Sequence, residues 1–298
     1  MSQSPTPRKQ TRLIERGIEV FFFACASLSV FTSVGIALIL AYESVGFFRE
    51  VSFLRLFTDS EWTPFFLEKS YGIWPLLAGT LMTSFIAMAI ALPFGVLAAL
   101  YLSNFAKPLM RRICKPALEV LAGVPTIVYG YFALVLVTPA LQKVIPGLSS
   151  FNALSAGLVM GIMIIPLISS LSEDAISAVP HTLQEASLAL GASKLRTLFS
   201  VVLPAARSCI VAASLLALGR AIGETMIVAI AAGQQAQLTA DPRESMETMT
   251  AYIVQVSLGD TPAGSLESKT LFVIGGALFV VTFLINTISQ RIVRRGAS

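Results

Sequence analysis

Arg220 and Glu224 stand four residues apart in GRAIGETM, and that stretch lies inside CIVAASLLALGRAIGETMIVAIAAG, which is otherwise apolar enough to sit in lipid. A charged side chain at the centre of a bilayer costs about 3 kcal/mol on insertion scales, so such groups persist where they are paired or perform work. A spacing of four puts both on one helix face, where they are expected to pair. Two readings stand side by side. In one, the pair neutralises itself inside a helix bundle. In the other, Arg220 lines an anion pathway, where its guanidinium fork matches the oxygens of a tetrahedral oxyanion, and Glu224 keeps the site shallow enough to let go. A carboxylate also accepts a hydrogen bond from protonated phosphate and repels fully ionised sulfate, which makes Glu224 a candidate for telling the two apart.

Four further residues offer polar groups to such a pathway. Glu119 precedes the Val124-Pro125 step and either reaches the membrane interface or lines the pathway opposite Arg220. Thr80, Thr83 and Thr225 either supply hydroxyls to an anion or bond their own helix backbone and pack between helices. Pro93, Pro125, Pro139 and Pro166 free backbone groups and favour kinks. Enzymatic chemistry has little to stand on. The chain has one histidine, His181, and three scattered cysteines, Cys25, Cys114 and Cys209, without HExxH or CxxC. Neither a catalytic set nor a metal site is expected. There is no GxxxxGK[ST], so no cofactor is expected and any ATP-driven step belongs to another chain.

The elements that must position these residues follow from composition. Of 298 residues, 55% are hydrophobic and 13% charged, and the mean hydropathy is +0.78. A soluble domain carries roughly 25% charged residues, so this is an all-α polytopic membrane protein. A crossing helix needs roughly 20 mainly apolar residues. Six stretches meet that need, at about 18–42, 73–102, 116–141, 152–171, 206–233 and 270–289, within one membrane domain at 18–290. Tails at 1–17 and 291–298 flank it. With the first tail inside, fourteen Lys and Arg fall in inner segments, counting Arg207 at a span edge, against six in outer ones. The positive-inside rule then puts both termini in the cytoplasm. Arg8, Lys9, Arg12 and Arg16 mimic the start of a signal peptide, but the apolar run after them is too long for one, so it reads as an uncleaved first span. Basic residues thus flank the membrane and its lipid, and nucleic acid is not an expected partner despite a charge of +4. The outer loops 43–71 and 234–269 each hold five acids, and the pair Asp59/Glu61 reads as solvated loop surface.

Between spans 4 and 5 lies SEDAISAVPHTLQEASLALGASKLRTLFSVVLP, too polar to cross and too helix-prone to be slack. Thr182 and Glu185 have capping-box spacing and predict a helix start. Gly191 predicts a turn, and Leu195, Leu198, Phe199 and Val202 continue an apolar stripe until Pro204 stops it. Within this loop, 182–204, Glu185-Ala186-Ser187, then Gly191, then Val201 and Leu203-Pro204 resemble the EAA motif of ABC-importer permeases, EAA-x3-G-x9-I-x-LP. Ser187 and Val201 depart conservatively from it. The resemblance implies a coupling helix pair docked on a separate ATPase subunit; without it, the same residues read as an amphipathic hairpin on the membrane surface.

RAIGETM resembles the signature of phosphate-specific importer permeases of the PstC type, within the binding-protein-dependent, MetI-like inner-membrane family. GTLMTS at 79–84, LEVLAGVPTIVYGYFAL in span 3, ETMTAYIVQVSLGD at 247–260 and SQRIVRR near the end agree, so the resemblance covers 73–295. It implies a six-span type I permease fold, inward phosphate transport by alternating access across a bacterial inner membrane, a partner permease of the PstA type, an ATP-binding subunit dimer and an extracytoplasmic phosphate-binding protein. The chain would be a non-catalytic subunit. Alternatives are a permease for sulfate, molybdate or phosphonate, and an ion-coupled secondary transporter, which would need no coupling helices.

Overall fold

Among the described residues, five helices are long and apolar enough to cross a bilayer unbroken, and a sixth crossing exists only if a bent pair counts as one. The computed structural model describes residues 9–262 and 264–296. Arg8 and the outermost residues of both expected tails lie outside the described residues. The chain runs through α1 (Lys9–Phe48), α2 (Arg55–Thr58), α3 (Trp74–Asn104), α4 (Pro108–Gly123), α5 (Thr126–Phe132), a π turn (Ala133–Val137) and α6 (Thr138–Gln142). It continues with α7 (Ala153–Ser177), α8 (His181–Ala189), α9 (Lys194–Thr197), a second π turn (Leu198–Val202), α10 (Leu203–Ile222), α11 (Met226–Ala231), α12 (Met249–Leu258) and α13 (Leu266–Gly296). Among the described residues the one β feature is an isolated bridge between Trp62 and Tyr71.

The bundle is built around α3 and α7, which pack along much of their length. Between membrane helices, close packing rather than water exclusion holds the pair, so small residues line the seam. Ala87 and Ala91 on α3 share a core with Ala156 on α7, and Gly161 of α7 lies against Ala87. A Cβ on Gly157 would stand 2.7 Å from Ile86 Cβ, which only glycine avoids. The Asn152 side chain starts α7 by accepting from the Ser155 N–H at 2.7 Å, as an N-cap does. The α5, α10 and α11 helices add Tyr129, Ala217, Ala221 and Ile227 to the same core. By contrast α1 packs on α13 and leaves Phe21, Phe22, Phe23 and Phe31 exposed, the face a lipid-bathed helix presents.

Several expectations need correction. The stretch 116–141 is not one straight helix: α4 and the following helix are bent by 90° at Val124-Pro125. Proline cannot donate an N–H, and it pushes the residue before it out of helical geometry; Val124 accordingly sits at ψ 130. Pro204 does not stop the helix, because Lys194–Ile222 forms a continuous rod. The second π turn lies immediately before Leu203-Pro204, as the first lies before Thr138-Pro139. A local π adjustment carries each helix past the missing N–H, helped at the first by the Thr138 hydroxyl donating to Ala133 O at 3.0 Å. Thr182 and Glu185 form no capping box, since α8 already begins at His181 and Pro180 offers no side-chain cap. The residues Ser172–Ser177, placed in the loop by their polarity, are the last turns of α7. Span 5 also breaks, after Ile222, as described below.

Candidate functional site: the Arg220 cavity and the Glu224 crossing

Arg220 lies in the last turn of α10 and points into a cavity of about 270 Å³ between α4, α7 and α10. Glu119 and Lys115 enter it from α4, and Met163, Ser169 and Glu173 from α7. Arg220 Nη2 donates to Met163 Sδ at 3.6 Å. Among the described residues no carboxylate oxygen lies within 4 Å of its guanidinium. A larger cavity of about 550 Å³ opens between α1 and α13, but aliphatic and aromatic side chains with Ser44 line it and no charge does.

The expected pairing of Arg220 with Glu224 is not formed. Gly223 ends α10, the helix breaks, and Glu224 belongs to the start of α11. Its Oε1 accepts the N–H groups of Met226 at 3.1 Å and Ile227 at 3.4 Å. Beyond the break, the free N–H groups of the new helix start lie beside the carboxylate, and a helix start favours a negative charge. Glu224 is 8% exposed and does not line the Arg220 cavity.

Behind Glu224 the polar groups form a buried crossing of α3, α11 and α12. Thr250 Oγ1 donates to Glu224 O at 2.7 Å and stands 3.0 Å from Thr248 Oγ1. Thr248 caps α12 by accepting from Ala251 N–H at 3.1 Å. Thr80 Oγ1 donates to Leu76 O and accepts from Met249 N–H at 3.0 Å, joining α3 to α12. Thr83 donates back to Gly79 O at 2.9 Å and Thr225 to Gly223 O at 3.3 Å. Of the six residues expected along a pathway, the structure therefore brings Arg220 and Glu119 together. Thr80 and Glu224 are built into helix contacts, and Thr83 and Thr225 bond nearby backbone. Glu247, in the loop before α12, is 3% exposed, and its Oε1 has no partner among the described residues. Burial pushes its carboxyl up to about 8.

Sequence reasoning missed Arg111, Lys115 and Glu173. Glu173 is 1% exposed and forms ion pairs with Arg111 and with Lys115 Nζ at 3.3 Å. The signal was present: Arg111, Lys115 and Glu119 recur every four residues, one face of a helix, and Ser169 and Glu173 repeat that spacing on α7.

The coupling residues keep an open surface. After α8, the Gly191 N–H bonds Leu188 O at 2.9 Å and the Ala192 N–H bonds Ser187 O at 3.2 Å. With Gly191 at φ 85, this is a Schellman cap, which needs the left-handed conformation. Ser187 Oγ meets Thr197 Oγ1 at 2.9 Å, tying α8 to α9. Glu185 and Ala186 are exposed, Val201 and Leu203 are partly covered, and Pro204 is exposed. Leu183, Leu188, Leu190 and Leu195 show apolar surface beside them. On the opposite side of the bundle, Asp59 is no free surface acid: it accepts from Arg55 Nε and from the Tyr71 N–H, each at 3.2 Å, folding the loop before α3.

A bundle of apolar crossing helices with an exposed helix pair at one end and a charged cavity inside defines a multi-pass membrane transport subunit. The chain belongs to the family of binding-protein-dependent transport system inner membrane components, whose family model matches residues 91–298. It is therefore an inner-membrane permease of an ABC importer, the non-catalytic membrane part, and membership implies an ATPase and an extracytoplasmic binding protein as partners. It is 30% identical over 279 residues to the probable ABC transporter permease protein YqgH of Bacillus subtilis, covering 93% of this chain and 90% of that protein. It is 33% identical over 261 residues to the phosphate transport system permease protein PstC of Xylella fastidiosa, covering 81% and 79%. In fold it matches a bacterial alginate ABC transporter solved with a pentasaccharide-bound periplasmic protein, with TM-score 0.66 at 14% identity over 97% of this chain and 98% of that one. The inward-facing MetNI methionine transporter matches with TM-score 0.55 at 23% identity over 76% and 94%.

Proposed function

We propose that this permease carries inorganic phosphate inward as the PstC-type half of a heterodimer with a PstA-type permease. Both termini and the loop 182–204 face the cytoplasm, in keeping with the excess of Lys and Arg on that side. Closure of an ATPase dimer moves Glu185, Ala186, Ser187 and Gly191, and the rod Lys194–Ile222, through Val201, Leu203 and Pro204, carries that movement to Arg220 at its far end. Each half of the heterodimer then opens alternately to the binding protein outside and to the cytoplasm.

The observation that carries the reading is the Arg220 guanidinium, which enters a cavity with no carboxylate within 4 Å among the described residues. A planar fork with unspent donors fits a tetrahedral oxyanion, and the relatives named for phosphate transport support phosphate as that anion. Glu119 and Glu173 share the cavity and take the role of keeping the site shallow. Glu224, Thr80, Thr83 and Thr225 hold the surrounding helices.

The test is ATP-dependent phosphate uptake in vesicles carrying the reconstituted complex. Arg220→Gln is expected to lower uptake by more than about tenfold, since one charge-assisted bidentate contact is worth about 1.5–3 kcal/mol. The complex should still assemble. Full phosphate uptake in an assembled Arg220→Gln complex would overturn the reading, as would uptake that an excess of sulfate abolishes.

A further inference from the structure

None of the side chains of α4 is buried, yet α4 is fastened to the bundle by charge. Its Arg111 and Lys115, one turn apart, both hold Glu173 of α7. A carboxylate that is 1% exposed is costly unless its partners stay with it. These two partners remain about two-fifths exposed, at 44% and 41%, so the acid is fixed and the cations are movable. The helix that carries them meets the rest of the bundle at the 90° elbow at Val124-Pro125. Tyr129 Oη bridges that elbow by donating to Leu121 O at 2.8 Å.

The fastening lies at the mouth of the Arg220 cavity. Met163, which touches Arg220, and Glu173 are ten residues apart on α7, about 15 Å at 1.5 Å per residue. Between them stands Ser169, a fully buried residue at the cavity wall whose hydroxyl has no partner among the described residues. A buried hydroxyl without a partner is a standing cost, which an incoming acceptor relieves.

We propose that Arg111, Lys115 and Glu173 form an ionic latch over the cytoplasmic mouth of this cavity, opened when a translocating oxyanion replaces the Glu173 carboxylate on Lys115 and Arg111. This rests on the anion-carrying role and orientation proposed above. The exchange never leaves the two cations without an anionic partner: one anion arrives, from Arg220 by way of Ser169, as the other leaves. The oxyanion then departs with α4 displaced, and Arg111 and Lys115 return to Glu173 to close the mouth. Because an internal carboxylate competes for the same donors, the latch favours release over retention.

The test uses the complete complex in lipid nanodiscs, with Cys25, Cys114 and Cys209 replaced by alanine and Ser169→Cys as the reporter. Labelling by anionic and by cationic methanethiosulfonates is timed. Glu173→Gln is expected to speed labelling by both reagents by at least roughly tenfold, the factor that corresponds to about 1.4 kcal/mol of latch energy. A change in local potential alone would speed one reagent and slow the other, and would overturn the latch. Lys115→Gln, which leaves Arg111 on Glu173, should give an intermediate rate and guards against misfolding of the first variant; an unchanged rate in both overturns the proposal. Millimolar inorganic phosphate should speed labelling when Glu173 is intact and have no further effect in Glu173→Gln. Fast labelling in Glu173→Gln with no response to phosphate when Glu173 is intact overturns opening by the anion. Failure of the phosphate reading itself is read separately, from uptake by Arg220→Gln.

Discussion

Around Arg220 the charged groups are numerous, and two of them, Arg220 and Glu119, have no ionic partner within 4 Å among the described residues, in a cavity that three helices leave between them. Around Glu224 and Thr250 the polar groups are buried, and nearly every one is tied to a backbone N–H or C=O. The two regions are joined by one short break after Ile222. The difference separates two uses of polarity in a membrane bundle. Satisfied hydroxyls and carboxylates fix where helices cross, because lipid offers no substitute hydrogen bonds. Charges left without close partners cost stability and remain available to a ligand. Substitutions in the crossing should therefore change stability first, and substitutions in the cavity should change transport first.

The largest effect expected from this contrast lies at Glu247, the exception within the buried region. Its carboxyl titrates at about 8 in the folded chain against 4.5 for an ordinary glutamate. The folded state thus keeps a proton that the unfolded chain releases, so ionisation of Glu247 costs no stability below about pH 4.5, and that cost grows as pH rises toward 8. Above that it amounts to a few kcal/mol, since each pKa unit is about 1.4 kcal/mol. Glu247→Gln mimics the protonated form. Melting of the detergent-solubilised complex should give equal midpoints for the two proteins near pH 5 and a higher midpoint for Glu247→Gln at pH 8.5. A gap that does not change with pH would place Glu247 outside the buried crossing.

Glu224 comes next. Glu224→Ala leaves the N–H groups of Met226 and Ile227 without their acceptor, which costs about 1–3 kcal/mol. Glu224→Gln keeps an acceptor oxygen and should recover most of that stability, and it should leave the preference for phosphate over sulfate unchanged. If Glu224→Gln instead admits sulfate, the carboxylate faces the transported anion and the division between cavity and crossing fails.

Much of this arrangement was legible in the residues themselves. Apolar length located the five long apolar helices, because the bilayer core imposes one length on all of them, and the sixth apolar stretch folds as a bent pair. The EAA spacing located the helix pair and its Gly191 turn, because a left-handed cap leaves a glycine in the sequence. Periodicity failed where a local event interrupted the helix. Arg220 and Glu224 keep a spacing of four, but Gly223 and the unsatisfied N–H groups of α11 turn Glu224 away. Val124-Pro125 was visible as a kink, yet a proline alone does not say whether a helix bends slightly or by 90°. Glu173 was hidden by reading polarity as loop: the residues Ser172–Ser177 continue α7, and Glu173 among them is buried with Arg111 and Lys115 of α4 paired to it.

The smallest effect, and the one that bears most directly on the cavity, is expected at Glu119. It shares the cavity with Arg220 and Lys115 but forms no ion pair within 4 Å among the described residues. Glu119→Gln should therefore leave the melting midpoint unchanged, since surface-type substitutions fall within about 0.5 kcal/mol. Removing a negative charge from a site that must bind and release an anion strengthens the ground state more than it helps passage. With the binding protein held in excess, phosphate uptake should reach half-saturation at a lower concentration and plateau at a lower rate, each by about two- to fivefold, the range of a single partly screened charge. Opposite movement of affinity and plateau is the informative result, because loss of fold lowers the plateau without tightening binding. A change confined to stability would assign Glu119 to helix packing and leave Arg220 as the cavity's anion-handling group without it.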